Sequence, residues 1–160
     1  MVRLSTLDRS SMRDVPLPRV CHYCNLVDES HDHLFFSCSF IRPLWIHLQD
    51  TCKFRSPASS WSGFVNWASH QWARRNLRMA VNKLMLSTTI NKIWMERNNR
   101  AFKNRRCSQM ELLRRITDLI RQKLLTLQVR DSVDARRLIL EWNLPVSFIR
   151  PPLEPPDCFN

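Results

Sequence analysis

The amino-acid sequence predicts a mainly α-helical protein in three parts: a small cysteine- and histidine-bearing module, a helical bundle behind it, and an extended proline-rich tail. Three observations lead there. A single glycine stands among 160 residues. Apolar residues recur at helical spacing through most of the chain beyond Cys38, and a dense set of cysteines and histidines precedes them. No alternating run longer than a few residues argues for a strand around Cys38.

The glycine count also removes whole classes of enzyme. A Walker loop, a GxGxxG dinucleotide turn and a GxSxG nucleophile elbow each need two or three glycines, because only glycine allows the backbone angles and close approach involved. Gly63 alone can build none of them. Apolar residues make up 44% of the chain, which is enough for a core.

The first element is the module. Cysteines lie at 21, 24, 38, 52, 107 and 158. Cys21, Cys24, His33 and Cys38 form C-x2-C-x8-H-x4-C within CHYCNLVDESHDHLFFSC. Three thiols and an imidazole are the donor set that tetrahedral zinc takes, and a C-x2-C turn places two thiolates about 2.3 Å from one ion. The spacing predicts a zinc-knuckle-like Cys3His module holding one structural Zn2+, closed by four protein ligands. His31 and His22 compete with His33 for the fourth place; the H-x4-C spacing favours His33. So short a segment, bearing Asp28, Glu29, Ser30 and Asp32, cannot order itself by burial, and zinc would supply folding energy on the order of 10 kcal/mol. Leu34, Phe35 and Phe36 are then expected to dock the module on the helices behind it.

The bundle follows. Trp61, Phe64, Val65, Ala68 and Trp72 form one stripe at helical spacing and read as core. A second helix is expected over 77–102, with Leu77, Ala80, Val81, Leu84, Ile90, Ile93 and Trp94 on its apolar side. The third starts at Ser108, an N-cap with Glu111 three residues on. Leu112, Leu113, Ile116, Leu119, Ile120, Leu124 and Leu127 supply its apolar face. A shorter helix is expected over 133–142. Pro145, Pro151, Pro152, Pro155 and Pro156 then end regular structure and predict the tail. The chain so divides into an N-terminal arm (1–20), the module (21–38), a helical part (39–103), basic amphipathic helices (104–143) and the tail (144–160).

The formal charge of +11 is regional. Residues 1–60 hold seven Lys/Arg and six Asp/Glu, whereas residues 74–123 hold fourteen and three. Such an excess points to a polyanionic partner. The candidate contacts are Arg97, Asn98, Arg100, Lys103, Arg105 and Arg106, a run without an acid, together with Arg114 and Arg115 on the next helix. Arginine and lysine would meet phosphates, and the interleaved asparagines would add base or sugar hydrogen bonds. Metal binding and nucleic-acid binding are thus expected in different parts of the chain.

RLSTLDR, the C-x2-C with DESHDHLFFSC, Trp45, and IWMERNNRAF at Ile93 to Phe102 together resemble the zinc-binding domain that follows the reverse transcriptase in plant non-LTR (LINE-type) retroelements. The resemblance covers residues 3–103. It implies zinc on Cys21, Cys24, His33 and Cys38, and a stand-alone fragment derived from such an element. No polymerase YxDD pair is present, and the eight acids after residue 60 are scattered among basic helices. The expected function is a non-enzymatic, zinc-binding module for RNA or single-stranded nucleic acid. A protein-interaction domain or a functionless retroelement relic is the alternative. An early run of charges, Arg3, Asp8 and Arg9, argues against a secretory signal. No membrane partner is expected, and the place of action is expected to be intracellular: nucleus or cytoplasm, with the mitochondrion as a further option.

Overall fold

The structure, a computed structural model, describes residues 20–151. A π-helical turn, His33–Ser37, is followed by five α-helices: α1 (Arg42–Thr51), α2 (Trp61–Gln71), α3 (Leu77–Phe102), α4 (Gln109–Leu125) and α5 (Val133–Trp142). A 3-10 turn, Val146–Phe148, comes last. Among the described residues there are only two isolated bridges, Val20 with Asp28 and Val129 with Ile149, and no strand. The mainly helical fold with an N-terminal Cys3His cluster is therefore the one the sequence predicts. No helix among the described residues is long and apolar enough to cross a membrane.

Local chemistry starts and stops the helices. Ser60, Asn76, Ser108 and Ser132 each accept the backbone N–H of the third residue of α2, α3, α4 and α5. With glycine scarce, other residues take the left-handed positions that end helices: Lys53 (φ 54°) after α1, Asn104 (φ 48°) after α3 and Asn143 (φ 48°) after α5. Gly63 itself lies in the first turn of α2, where its N–H meets the Ser60 hydroxyl at 3.2 Å.

The module sits on an aromatic core. Phe35 stacks on Trp61 (4.7 Å between ring centres), and Phe36 meets Phe64 (6.2 Å). Phe64 in turn packs edge-on against Trp45 of α1 and Trp72. Asp32 accepts the Trp61 N–H at 2.6 Å, so the end of the knuckle also holds the start of α2. Leu34 and Phe35 are buried, as expected of docking residues.

Helix α4 buries Leu112, Ile116, Ile120 and Leu124, one residue per turn, against α3. Each such side chain stabilises by about 1.5–3 kcal/mol relative to exposure. The stripe ends there, because α4 stops at Leu125 and leaves Leu127 exposed. Helix α5 packs on α3, with Glu141 paired to Arg78.

Two expectations need correction. The buried side of α3 is Val81, Asn82, Met85, Thr88, Thr89, Ile93, Glu96 and Arg97, while Ala80 is exposed. Five of these eight are polar, and one of them, Arg97, meets the knuckle through its pair with Glu29; of the expected side, Val81 and Ile93 are in the core and Leu77, Leu84, Ile90 and Trp94 pack against it. The tail, too, begins later than residue 144. Leu144 and Phe148 are buried, and Val129 donates its N–H to the Phe148 carbonyl (2.9 Å) and accepts the Arg150 N–H (2.8 Å), which pins 148–150 beside the end of α4. Residues 1–19 and 152–160, with the arm and the rest of the proline-rich tail, lie outside the described residues.

Candidate metal centre and the basic face beside it

Cys21 and Cys24 lie on a loop closed by the Val20–Asp28 bridge and by the Cys21 N–H donated to the Val27 carbonyl at 2.8 Å. Asn25 takes a left-handed conformation (φ 55°) and turns the chain directly after Cys24. His33 and Cys38 stand at the two ends of the π-helical turn, whose closing bond runs from the Cys38 N–H to the His33 carbonyl at 2.7 Å. Five residues apart, they would fall on different sides of an α-helix. The wider i to i+5 turn brings them to one side, which gives the H-x4-C spacing its structural reason.

The donor atoms of Cys21, Cys24, His33 and Cys38 all lie within 4.8 Å of one another. The Cys21 and Cys38 sulfurs are 3.9 Å apart, and Cys24 Sγ is 3.3 Å from His33 Nε2. A tetrahedron with metal–sulfur arms near 2.3 Å has edges of roughly 3.8 Å, so a small contraction would seat one zinc. His31 is not in this group, and its ring stacks near Trp61. His22 is half-buried, and burial together with the Arg97 charge holds its pKa below the ordinary value.

Cys21 and Cys38 share a sulfur–sulfur hydrogen bond. That bond and burial push the Cys21 thiol well above its ordinary pKa, and the same bond lowers that of Cys38. A bound zinc would replace both protons. A zinc held by all four donors would have no position left for a reactive water. The other two described thiols are held protonated: burial, with Glu96 beside it, raises Cys107 to about 11, and burial raises Cys52 to about 12. Neither has the lowered pKa of a nucleophile.

The structure divides the expected nucleic-acid residues into two sets. Arg97 donates through Nε to both carboxylate oxygens of Glu29 (3.1 and 3.3 Å), and both side chains are buried. Arg100 donates to Glu96 (2.9 Å) and to the Cys107 carbonyl (2.6 Å), with its guanidinium over the Tyr23 and Phe40 rings at 4.8 and 4.5 Å. Asn98 accepts from Arg97, and Asn104 has its backbone role at the end of α3. These residues belong to the joint between knuckle and bundle, because a cation this deep must be paired. Lys103, Arg105 and Arg106 form the second set. They are exposed and have no ion pair among the described residues. Arg114 and Arg115 are also exposed but share Glu111, with Asp118 beside Arg114.

Tyr23, Glu29, Phe40, Glu96 and Gln109 complete the joint. The Tyr23 hydroxyl donates to the Ile93 carbonyl at 2.6 Å, and the Gln109 amide donates to the Phe40 carbonyl. Sequence reasoning gave them no such role. One signal was available: Glu96 is the sole acid between Asp50 and Glu111, four residues before Arg100.

Residues 2–45 match the family described as zinc-binding in reverse transcriptase, and that span contains all four donors of the cluster. No curated protein and no solved structure matches the chain.

Proposed function

We propose that the chain is a non-enzymatic, zinc-stabilised module that binds nucleic acid, RNA or another single strand foremost, and that it descends from the reverse transcriptase of a plant LINE-type retroelement. One structural zinc on Cys21, Cys24, His33 and Cys38 holds the knuckle together. The thiols must stay reduced to bind it, which suits an intracellular setting in the nucleus or cytoplasm.

The observation that carries the binding reading is the loop after α3. It presents Lys103, Arg105 and Arg106 to solvent without partners among the described residues, in a stretch with fourteen cations and three acids. Phe102, 71% exposed at the end of α3, adds a ring on which a base can stack. A flexible single strand can bring phosphates to the three cations and a base to Phe102 at once, releasing counterions as it docks. Arg114 and Arg115 contribute less, since Glu111 already neutralises part of their charge.

The test is polarisation of labelled oligouridine, single-stranded DNA and duplex titrated with zinc-loaded protein across a salt series. Binding to the single strands, weakened in K103A/R105A/R106A, is the expected result. No binding near about 0.1 M salt, or equal binding by the triple variant, would overturn the reading in favour of a protein partner or a relic.

A further inference from the structure

We infer that metal loading of the Cys3His cluster fixes the basic loop 103–108 through the buried Glu96–Arg100 pair, so that metal and nucleic acid are held by one linked unit. The part concerning nucleic acid rests on the proposed function; the part concerning the loop does not.

Two rings flank the cluster in sequence and in space. Tyr23 lies between Cys21 and Cys24, and Phe40 lies two residues after Cys38. The rings stack on each other at 5.1 Å, and together they form the platform under the Arg100 guanidinium. Arg100 spans from that platform to the loop: Nε donates to Glu96, and Nη2 donates to the Cys107 carbonyl. Glu96 closes the circuit by accepting the Cys107 N–H at 2.9 Å. The Gln109 amide reaches back to the Phe40 carbonyl and ties the start of α4 to the same ring-bearing segment. The side chains of Lys103, Arg105 and Arg106 are exposed, and their loop is anchored through its backbone, at the Asn99 carbonyl on the near end and at Cys107 on the far end.

Tyr23 stands between two of the donors and Phe40 two residues after a third, so losing the metal loosens the backbone under both rings, with the Tyr23 bond to the Ile93 carbonyl as the remaining tie. Arg100 then loses its platform, and Gln109 loses its acceptor. The unsupported guanidinium and Glu96 no longer hold both backbone groups of Cys107. Glu96 and Arg100 are thus positioning residues: they touch neither metal nor nucleic acid, and they transmit the order of one to the other. Linkage makes the effect reciprocal, so a strand bound to the ordered loop tightens zinc by the same factor that zinc tightens the strand.

Hydrogen exchange followed by mass spectrometry on the full chain, zinc-loaded and zinc-stripped and without nucleic acid, reads the coupling. Removing zinc is expected to speed exchange in 103–108 by roughly tenfold or more, along with 20–40, while α5 stays protected. Loss of protection in 20–40 with 103–108 unchanged would overturn the inference. Should stripping unfold α5 as well, zinc-loaded R100K decides. Lysine keeps the buried cation beside Glu96 but lacks the planar fork that reaches Cys107. Faster loop exchange at unchanged zinc content is expected of this variant, and wild-type protection of the loop would overturn the inference. A parallel oligouridine titration is expected to show about tenfold weaker binding by stripped protein. If neither form binds oligouridine, the binding reading fails while the exchange result still stands on its own.

Discussion

Between the knuckle and α3, the Arg97 guanidinium donates to Glu29 with both side chains out of solvent. Removing one member strands a buried charge, so R97Q is expected to destabilise the protein by about 3–5 kcal/mol. Urea denaturation measures this. The effect on RNA affinity of the folded variant should be small beside that of K103A/R105A/R106A. Cys24 is the other residue where one change has a large consequence. C24S is expected to lose stoichiometric zinc, read by metal analysis of purified protein, and to melt at lower temperature. Full zinc content in C24S would remove Cys24 from the ligand set. Arg97 does not declare its burial in the sequence, and Arg100 signals its pairing only through Glu96 four residues earlier. Burial depends on Glu29, sixty-eight positions away, and on two rings across the knuckle.

At the scale of elements, α4 is the helix its periodicity describes, with a cap at Ser108 and a buried residue each turn. I120A is expected to cost about 2–5 kcal/mol, since the site is fully enclosed. S108A is expected to cost about 1 kcal/mol through the lost cap bond to the Glu111 N–H. Glu111 provides a pH test. Hydrogen bonds from Arg114 and Arg115 hold its carboxyl at about 2, below the ordinary 4.5. A depressed folded pKa stabilises above the ordinary value, and the contribution fades as pH falls from about 4.5 towards 2. A carbon-detected NMR titration should show Glu111 moving up towards its ordinary value in R114A/R115A. Helix α3 is legible in extent and in part in facing: of its expected apolar side Val81 and Ile93 are in the core, Leu77, Leu84, Ile90 and Trp94 pack against it, and Ala80 is exposed. Its apolar residues mark a side, whereas the fold buries a seam that includes Thr88, Thr89, Glu96 and Arg97. A helix packed on several sides has no single hydrophobic stripe to read.

For the molecule as a whole, charge and metal set the predictions. Each phosphate neutralised on a single strand contributes roughly 0.7 to the log–log salt slope, so three loop cations should account for about 2 of it, lost in K103A/R105A/R106A. Chelation is expected to lower helix-packing stability and RNA affinity together, because the Cys3His cluster and the basic loop share the joint at Tyr23, Phe40, Glu96 and Arg100. Calorimetry with and without a chelator checks the first effect. The sequence by itself determined the helices from Trp61 onward, the cap at Ser108, the four candidate metal donors and the regional charge. Each of these depends on residues near one another in the chain, through turn closure, 3.6-residue periodicity or ligand spacing. Only the tertiary structure decided which cations face solvent. A charge's burial depends on partners brought from distant positions, and those partners turned Arg97 and Arg100 into the joint while leaving Lys103, Arg105 and Arg106 outside it.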